Sequence, residues 1–270
     1  MTWSEIASGV FVRRHAELDL TVGLVLGAER ALVVDTRGDH RQGRELATAV
    51  RRLTALPWQV VITHGHFDHC FGTSAFLPAP VWAHERCPEH LARTADRQRA
   101  AWVRHYRAEG DAETADALAA SAPSAPDHLV RGTAAIDLGG RTVRLHHPGP
   151  GHTDHDLVAE VPDASVVFAG DLVEQGAPPD FEDAHPACWP SAVDGILALR
   201  PEVVVPGHGD PVDRDFVHRQ RAELARLADV CRRHAEGSLG IEEAVRISPY
   251  PRETTSVALR RRWAERRSDR

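Results

Sequence analysis

The chain has 270 residues, 42% hydrophobic and 26% charged, which suits a globular fold with a substantial core and excludes wholesale disorder. Its net charge of −7 counts against a general nucleic-acid partner, which would need a basic stripe along phosphates. All 32 basic residues are Arg, so no lysine nucleophile or Schiff base is available.

In chain order, residues 9–13, 20–26 and 31–35 read as short strands separated by polar or Gly-containing turns. Residues 41–56 read as a helix, because Leu46, Val50, Leu53 and Leu56 fall near helical spacing and Pro57 stops it. Residues 58–63 form an apolar strand that runs into His64-Gly-His66-Phe-Asp68-His69, and residues 80–83 form another strand. From about 85 to 127 the composition turns Ala- and Arg-rich and helical, ending in a Ser/Pro loop. Strands resume at 135–138 and 142–146, paired through Gly139-Gly140, and at 157–161 and 165–169. A helix over 191–199, a buried strand over 202–205 and a long helix over 214–235 follow. This order predicts one α/β domain over 1–270, a four-layer αβ/βα sandwich. It carries a helical insertion (about 85–127) covering the site and a C-terminal extension (about 237–270), whose Arg-rich end, 260–270, is expected to be a solvated helix.

Cys70, Cys87, Cys188 and Cys231 show no CxxC spacing and read as reduced thiols of a cytoplasmic protein. The N-terminus lacks a basic segment followed by an apolar run, and no stretch approaches the ~18 apolar residues of a membrane span, so no membrane partner is expected.

The chemistry is concentrated in 17 His and their placement. His64, His66, Asp68 and His69 put four candidate ligands within six residues, directly after a strand. Imidazole and carboxylate suit Zn²⁺. One short loop cannot fill two coordination shells, and three more ligand types stand where apolar strands end at Gly-containing turns: His152 after Gly151, Asp171 after Gly170, and His208 after Gly207. Elsewhere, His84, Cys87 and His90 share a helical spacing without a fourth ligand, and Cys70 reads as a small packed residue. Trp102 and Tyr106 are candidates either for pocket walls or for core positions at i, i+4.

The set resembles the metallo-β-lactamase superfamily, in order and over roughly residues 9–235. The resemblance implies that His64, His66 and His152 hold one zinc, that Asp68, His69 and His208 hold a second, and that Asp171 bridges them. It gives Asp35 the role of an aspartate behind the ligands, orienting one of them or a loop. Asp68 and Asp171 are then the catalytic carboxylates. The branch is narrowed by two residues: true zinc β-lactamases lack a bridging aspartate at the Asp171 position, and the diiron flavoproteins carry Glu at the His66 position. Most similar is the glyoxalase II-like group, from which this chain departs at Asp154-His155, where Pro-Gly is common. The implied activity is hydrolysis of a small-molecule ester, thioester or lactone by a hydroxide shared between two zinc ions per chain, with iron or manganese as alternative metals. A mono-iron persulfide dioxygenase is the alternative, since it uses the counterparts of His64, His152 and Asp171. β-Lactamase and nuclease activities are disfavoured.

Overall fold

The computed structural model describes residues 2–268, with side chains through 261. Its first sheet has seven strands in chain order: β1 (Ser4–Ala7), β2 (Val10–Arg14), β3 (Thr21–Leu26), β4 (Ala31–Val34), β5 (Trp58–Val61), β6 (Val81–His84) and β7 (His128–Val130). The first four are antiparallel, and β4 to β7 run parallel. Parallel strands need crossovers. These are α1 (His40–Leu53), a segment containing the single turn α2 (Phe67–Cys70), and the helical pair α3 (Cys87–Ala108) and α4 (Ala112–Ala119). The second sheet has the order β12-β11-β10-β9-β8, built from β8 (Thr133–Asp137), β9 (Thr142–His146), β10 (Val158–Val161), β11 (Val166–Glu174) and β12 (Val203–His208). Around it lie α5 (Trp189–Ala198), α6 (Arg214–Ala235), α7 (Ile241–Ile247) and α8 (Arg252–Ser268).

Side-chain alternation sorts these elements into layers. Along β4, Ala31 and Val33 face α1, where they meet Leu46 and Val50, whereas Leu32 and Val34 face the second sheet. Along β11, Val166 and Phe168 face the first sheet, and Val167 and Ala169 face Val193 of α5 and Leu224 of α6. Two sheets are thus packed face to face with helices outside each, the four-layer αβ/βα arrangement expected from the sequence. Leu91, Ala95 and Val103 of α3 and Leu118 of α4 share the cluster of Leu46 and Phe71.

Several boundaries differ from the sequence reading. Strand β1 was not expected, being a polar edge strand with no buried residue. Strand β7 is three residues beside a Pro-containing loop. Expected only to 169, β11 continues to Glu174 past a register shift at Gly170, which has φ 54° and closes on Thr63. Helix α6 spans 214–235 as expected, because the Asp213 side chain caps the Phe216 N–H. Helix α8 starts against the protein: Ala258 and Leu259 are buried with Leu224 and Leu227, and Arg261 turns toward the protein. Of the solvated helix expected over 260–270, Arg260 is exposed, and the side chains beyond 261 lie outside the described residues.

Below β2, His15 is 2% exposed and its Nε2 has no hydrogen-bond partner. Burial, reinforced by Arg37 and Arg13, pushes its pKa down to about 3 from 6.5. The folded state therefore keeps His15 neutral in a range where the unfolded chain takes up a proton. Stability from this group is full above pH 6.5 and declines as pH falls toward 3. His15→Gln is expected to remove up to about 2 kcal/mol of the difference in unfolding free energy between pH 7 and pH 5. Urea titrations of both proteins at the two pH values measure it, and an unchanged difference contradicts it.

Candidate metal centre

All but one of the candidate ligands stand where a strand gives out at one edge of the sandwich; Asp171 stands at a break within one. His64 and His66 follow β5, and α2 carries Asp68 and His69. His152 lies on the loop after β9, Asp171 lies in β11 just past the Gly170 bulge, and His208 is the last residue of β12. The first sheet contributes four of these residues and the second contributes three.

The side chains converge. Ligand-type atoms of His64, His66, His152 and Asp171 lie within 4.8 Å of one another, as do those of Asp68, His69 and His208. Asp171 stands between the groups, with Oδ2 3.6 Å from His64 Nε2, 3.5 Å from His152 Nε2 and 3.3 Å from His208 Nε2, and Oδ1 3.2 Å from His69 Nε2. Asp68 Oδ2 is 3.4 Å from His208 Nε2 and 3.6 Å from His69 Nε2.

Outer partners fix which imidazole nitrogen faces inward. His64 Nδ1–H donates to Thr63 Oγ1 (3.1 Å), because that hydroxyl gives its own proton to Asp35 Oδ2 (2.8 Å). His69 Nδ1–H also donates to Asp35 Oδ2 (2.8 Å), and His208 Nδ1–H donates to the Leu18 carbonyl (2.7 Å). His66 is turned the other way: its Nε2 meets Asp183 Oδ1 at 3.1 Å, leaving Nδ1 for the centre. Asp35 holds this post with φ 63°, a left-handed backbone that a non-glycine residue adopts at a cost, and its Oδ1 accepts the Thr63 N–H.

The inward atoms satisfy one another only in part. His64 Nε2 is buried without a partner, and Asp171 Oδ1 accepts no hydrogen bond despite its closeness to His69. His152 Nε2 lies 2.9 Å from His66 Nδ1 and can donate to it, but His152 Nδ1 is then buried without a partner. Buried polar atoms are ordinarily paired. Five imidazole nitrogens and two carboxylates aimed at a common space fit divalent metal ions of the zinc type.

Charge distribution agrees with this at three of the groups. Burial pushes His64 well below its ordinary value, and His69 adds to the shift. Burial likewise lowers His152 to about 4. For Asp171 burial works upward, but His69, His208 and His64 outweigh it and hold the carboxylate well below its usual range. His64 and His152 are therefore neutral and Asp171 ionised near neutral pH, the forms that coordinate metals. At the other three imidazoles burial works downward but carboxylates outweigh it: Asp183 raises His66 to about 9, and Asp171 and Asp68 raise His208 to about 10 and His69 well above its ordinary value, so metal binding there must displace a proton.

Sequence reasoning missed the residues that brace the ligand loop. Gln98 of α3 accepts the Phe67 N–H at Oε1 (2.9 Å) and donates Nε2–H to the Gly65 carbonyl (3.0 Å). His155 Nε2 accepts the Gly65 N–H (3.0 Å) while its Nδ1–H donates to Asp154 Oδ1 (2.8 Å). The Asp154-His155 departure thus supports the His64–His66 turn from behind. Asp183, the partner of His66, lies 117 residues from it in sequence. A cleft of about 1020 Å³ opens over the centre, walled by Trp102 and His105 of α3 and by Val257 and Arg261 of α8. Trp102 stacks on Phe67 at 4.6 Å, whereas Tyr106 is buried and donates its hydroxyl to Glu17. His84 is outside the centre, stacked on His147 at 4.1 Å, and Cys70 is buried with its Sγ–H toward the His66 carbonyl.

The profile of the metallo-beta-lactamase superfamily matches residues 18–208, which contain all seven converging side chains. The chain belongs to the metallo-beta-lactamase superfamily. Among its relatives in that superfamily, the type 2 metallo-beta-lactamase of Bacillus cereus is 25% identical over 202 residues, covering 72% of this chain and 69% of that protein. The metallo-beta-lactamase from Pontibacter korlensis superposes with a TM-score of 0.65 at 22% identity, covering 83% of this chain and 98% of that one. The FIM-1 enzyme from Pseudomonas aeruginosa, solved in a mono-zinc form, superposes with a TM-score of 0.61 at 19% identity, covering 84% and 96%. Among the described residues, no helix is long and apolar enough to cross a membrane.

Proposed function

We propose that this chain is a binuclear zinc hydrolase that cleaves an ester, thioester or lactone of a small molecule, as in the glyoxalase II-like group. The observation that carries the reading is Asp171, whose two oxygens face the two ligand groups from a point between them. Zinc bound there would supply a water of pKa lowered toward ~7 and a Lewis acid for a substrate carbonyl. The chain's own residues would do the rest. His64, His66 and His152 would hold one ion, and Asp68, His69 and His208 the other. Asp68, near the cleft floor, accepts a hydrogen bond from the attacking water and aims it. Trp102 offers the substrate an apolar wall in the cleft between α3 and α8. Cytoplasmic residence is part of the proposal, supported by Cys70, Cys87 and Cys188, none of which forms a disulfide.

A second reading, β-lactam hydrolysis, is favoured by the 25% identity to the Bacillus cereus enzyme. One experiment addresses both. The purified protein is expected to contain about two zinc ions per chain by elemental analysis. Zinc-loaded protein is then screened against thioester, lactone, β-lactam and phosphodiester panels. Turnover confined to β-lactams replaces the first reading by the second. One iron with little zinc, together with thiol-dependent oxygen uptake, overturns both in favour of a dioxygenase.

A further inference from the structure

The superfamily match ends at residue 208, yet the segment beyond it reaches back to the metal centre. Arg261 of α8 donates Nε–H to the Ala184 carbonyl (2.8 Å) and Nη2–H to the Asp183 carbonyl (2.9 Å). The planar guanidinium therefore grips two successive main-chain oxygens, which fixes the peptide between them. Because those donors go to the backbone, the Asp183 side chain stays available to His66 Nε2 at 3.1 Å. On the far side the same loop is tied to the loop bearing His152, where the His185 N–H donates to the Gly151 carbonyl (2.8 Å). With its backbone held from both sides, Asp183 has only its own side-chain torsions left, and these are set by His66 at Oδ1 and by His90, whose Nε2 lies 4.0 Å from Oδ2.

A second path runs parallel. Tyr250, just before α8, packs on Phe181 at 6.2 Å between ring centroids. Phe181 packs on Trp189 at 5.0 Å, and Trp189 on His152 at 5.6 Å. Trp189 is itself pinned by Nε1–H donation to the Leu172 carbonyl (3.1 Å), next to Asp171. Two histidines of one ligand group, His66 and His152, are thus each reached from the C-terminal segment through a chain of contacts.

We propose that Arg261 is a positioning residue for the metal centre: by holding the Asp183–Ala184 backbone it fixes the Asp183 carboxylate against His66 Nε2 and with it the ring plane of His66. The inference rests on the zinc reading above for its metal-binding consequence, but its effect on the Asp183–His66 contact does not.

The test uses the full chain with Arg261→Ala, Arg261→Lys, and Arg252→Ala as a control, since Arg252 sits on the same helix in an exposed ion pair with Glu242. In metal-free protein, ¹H–¹⁵N spectra of the histidines report whether His66 Nε2–H is held by Asp183. Wild type and Arg252→Ala are expected to show one sharp, slowly exchanging Nε2–H signal for His66, and Arg261→Ala a broadened or missing one. In zinc titrations, Arg261→Ala is expected to weaken one of the two ions about tenfold, the low end for loss of a partner behind a ligand. Arg261→Lys, able to serve one carbonyl at a time, should recover part of both effects. A cobalt-substituted sample should show altered ligand-field bands in Arg261→Ala alone. A wild-type Nε2–H signal and wild-type affinity in a folded Arg261→Ala protein overturn the proposal. Should Arg261→Ala not fold, fully wild-type behaviour of Arg261→Lys, or absence of the Nε2–H signal in the native protein, overturns it equally. Failure of wild type to bind zinc at all would instead sink the hydrolase reading, leaving the Nε2–H result to judge Arg261.

Discussion

Asp171→Asn is expected to lower kcat/KM by about 100-fold or more while the far-ultraviolet circular dichroism stays native. The carboxylate sits among four imidazoles from both sheets, at 3.2 to 3.6 Å. An amide keeps the shape but offers one good oxygen donor and no charge, so two adjacent dications would be poorly compensated. Their spacing then loosens, and errors of about 1 Å in placing reacting groups are enough for a loss of that size. Asp194→Asn, which removes only an exposed ion pair with Arg221, is the neutral control. Asp154→Asn is expected to fall between the two, because it replaces the charged acceptor that orients His155 beneath Gly65 by a weaker amide oxygen. Steady-state kinetics with zinc counted per chain reads all three, and near-normal turnover in Asp171→Asn would remove that residue from the centre.

Gly207→Ala is expected to be as damaging, although it adds one methyl group and touches no ligand chemistry. A Cβ at this position would lie 1.8 Å from Asp171 Oδ1 and 3.0 Å from its Cγ. The clash cannot be relieved cheaply, since the third neighbour at 3.0 Å is the Gly170 backbone at the bulge. Asp171 must leave its place or β12 must shift away from β11. Either change should reduce bound zinc to one ion or none per chain, with activity down by about 100-fold or more. Gly132→Ala, where an added Cβ meets nothing within 4 Å, serves as control. Wild-type zinc content in Gly207→Ala would show that the strand pair adapts.

The two predictions also show what the sequence makes legible and what it hides. Strands β3, β4 and β9 and the ligand loop after β5 declare themselves through apolar runs that end in Gly, His or Asp, because a local pattern is all a strand end needs. The same holds for α6, with its capping Asp213. Sites of close approach are different. Nothing around Gly207 says that a carboxylate 36 positions earlier, 207 − 171, will press against it. Gln98, Asp183 and Arg261 escape notice for the same reason. Each braces the centre through partners 31 to 117 residues away, and a lone polar residue in a helix or loop carries no periodic signal. Left-handed Asp35 is a middle case: its position at the end of β4 was readable, but the reason its backbone bends is the pair of acceptor bonds to Thr63, visible only once β4 and β5 are side by side.

Ligands drawn from two sheets make the centre a fastener as well as a workplace. His64, His66, Asp68 and His69 belong to one half of the sandwich and His152, Asp171 and His208 to the other, so an ion bound by both sets ties the halves together at that edge. By mass action, a ligand that binds only the folded chain adds about 2.7 kcal/mol of stability when its free concentration is 100 times its dissociation constant. If zinc is that ion, its free concentration in the surroundings would set how long the polypeptide survives heat and proteases, and scarcity of the metal would thin the protein's numbers as well as idle it.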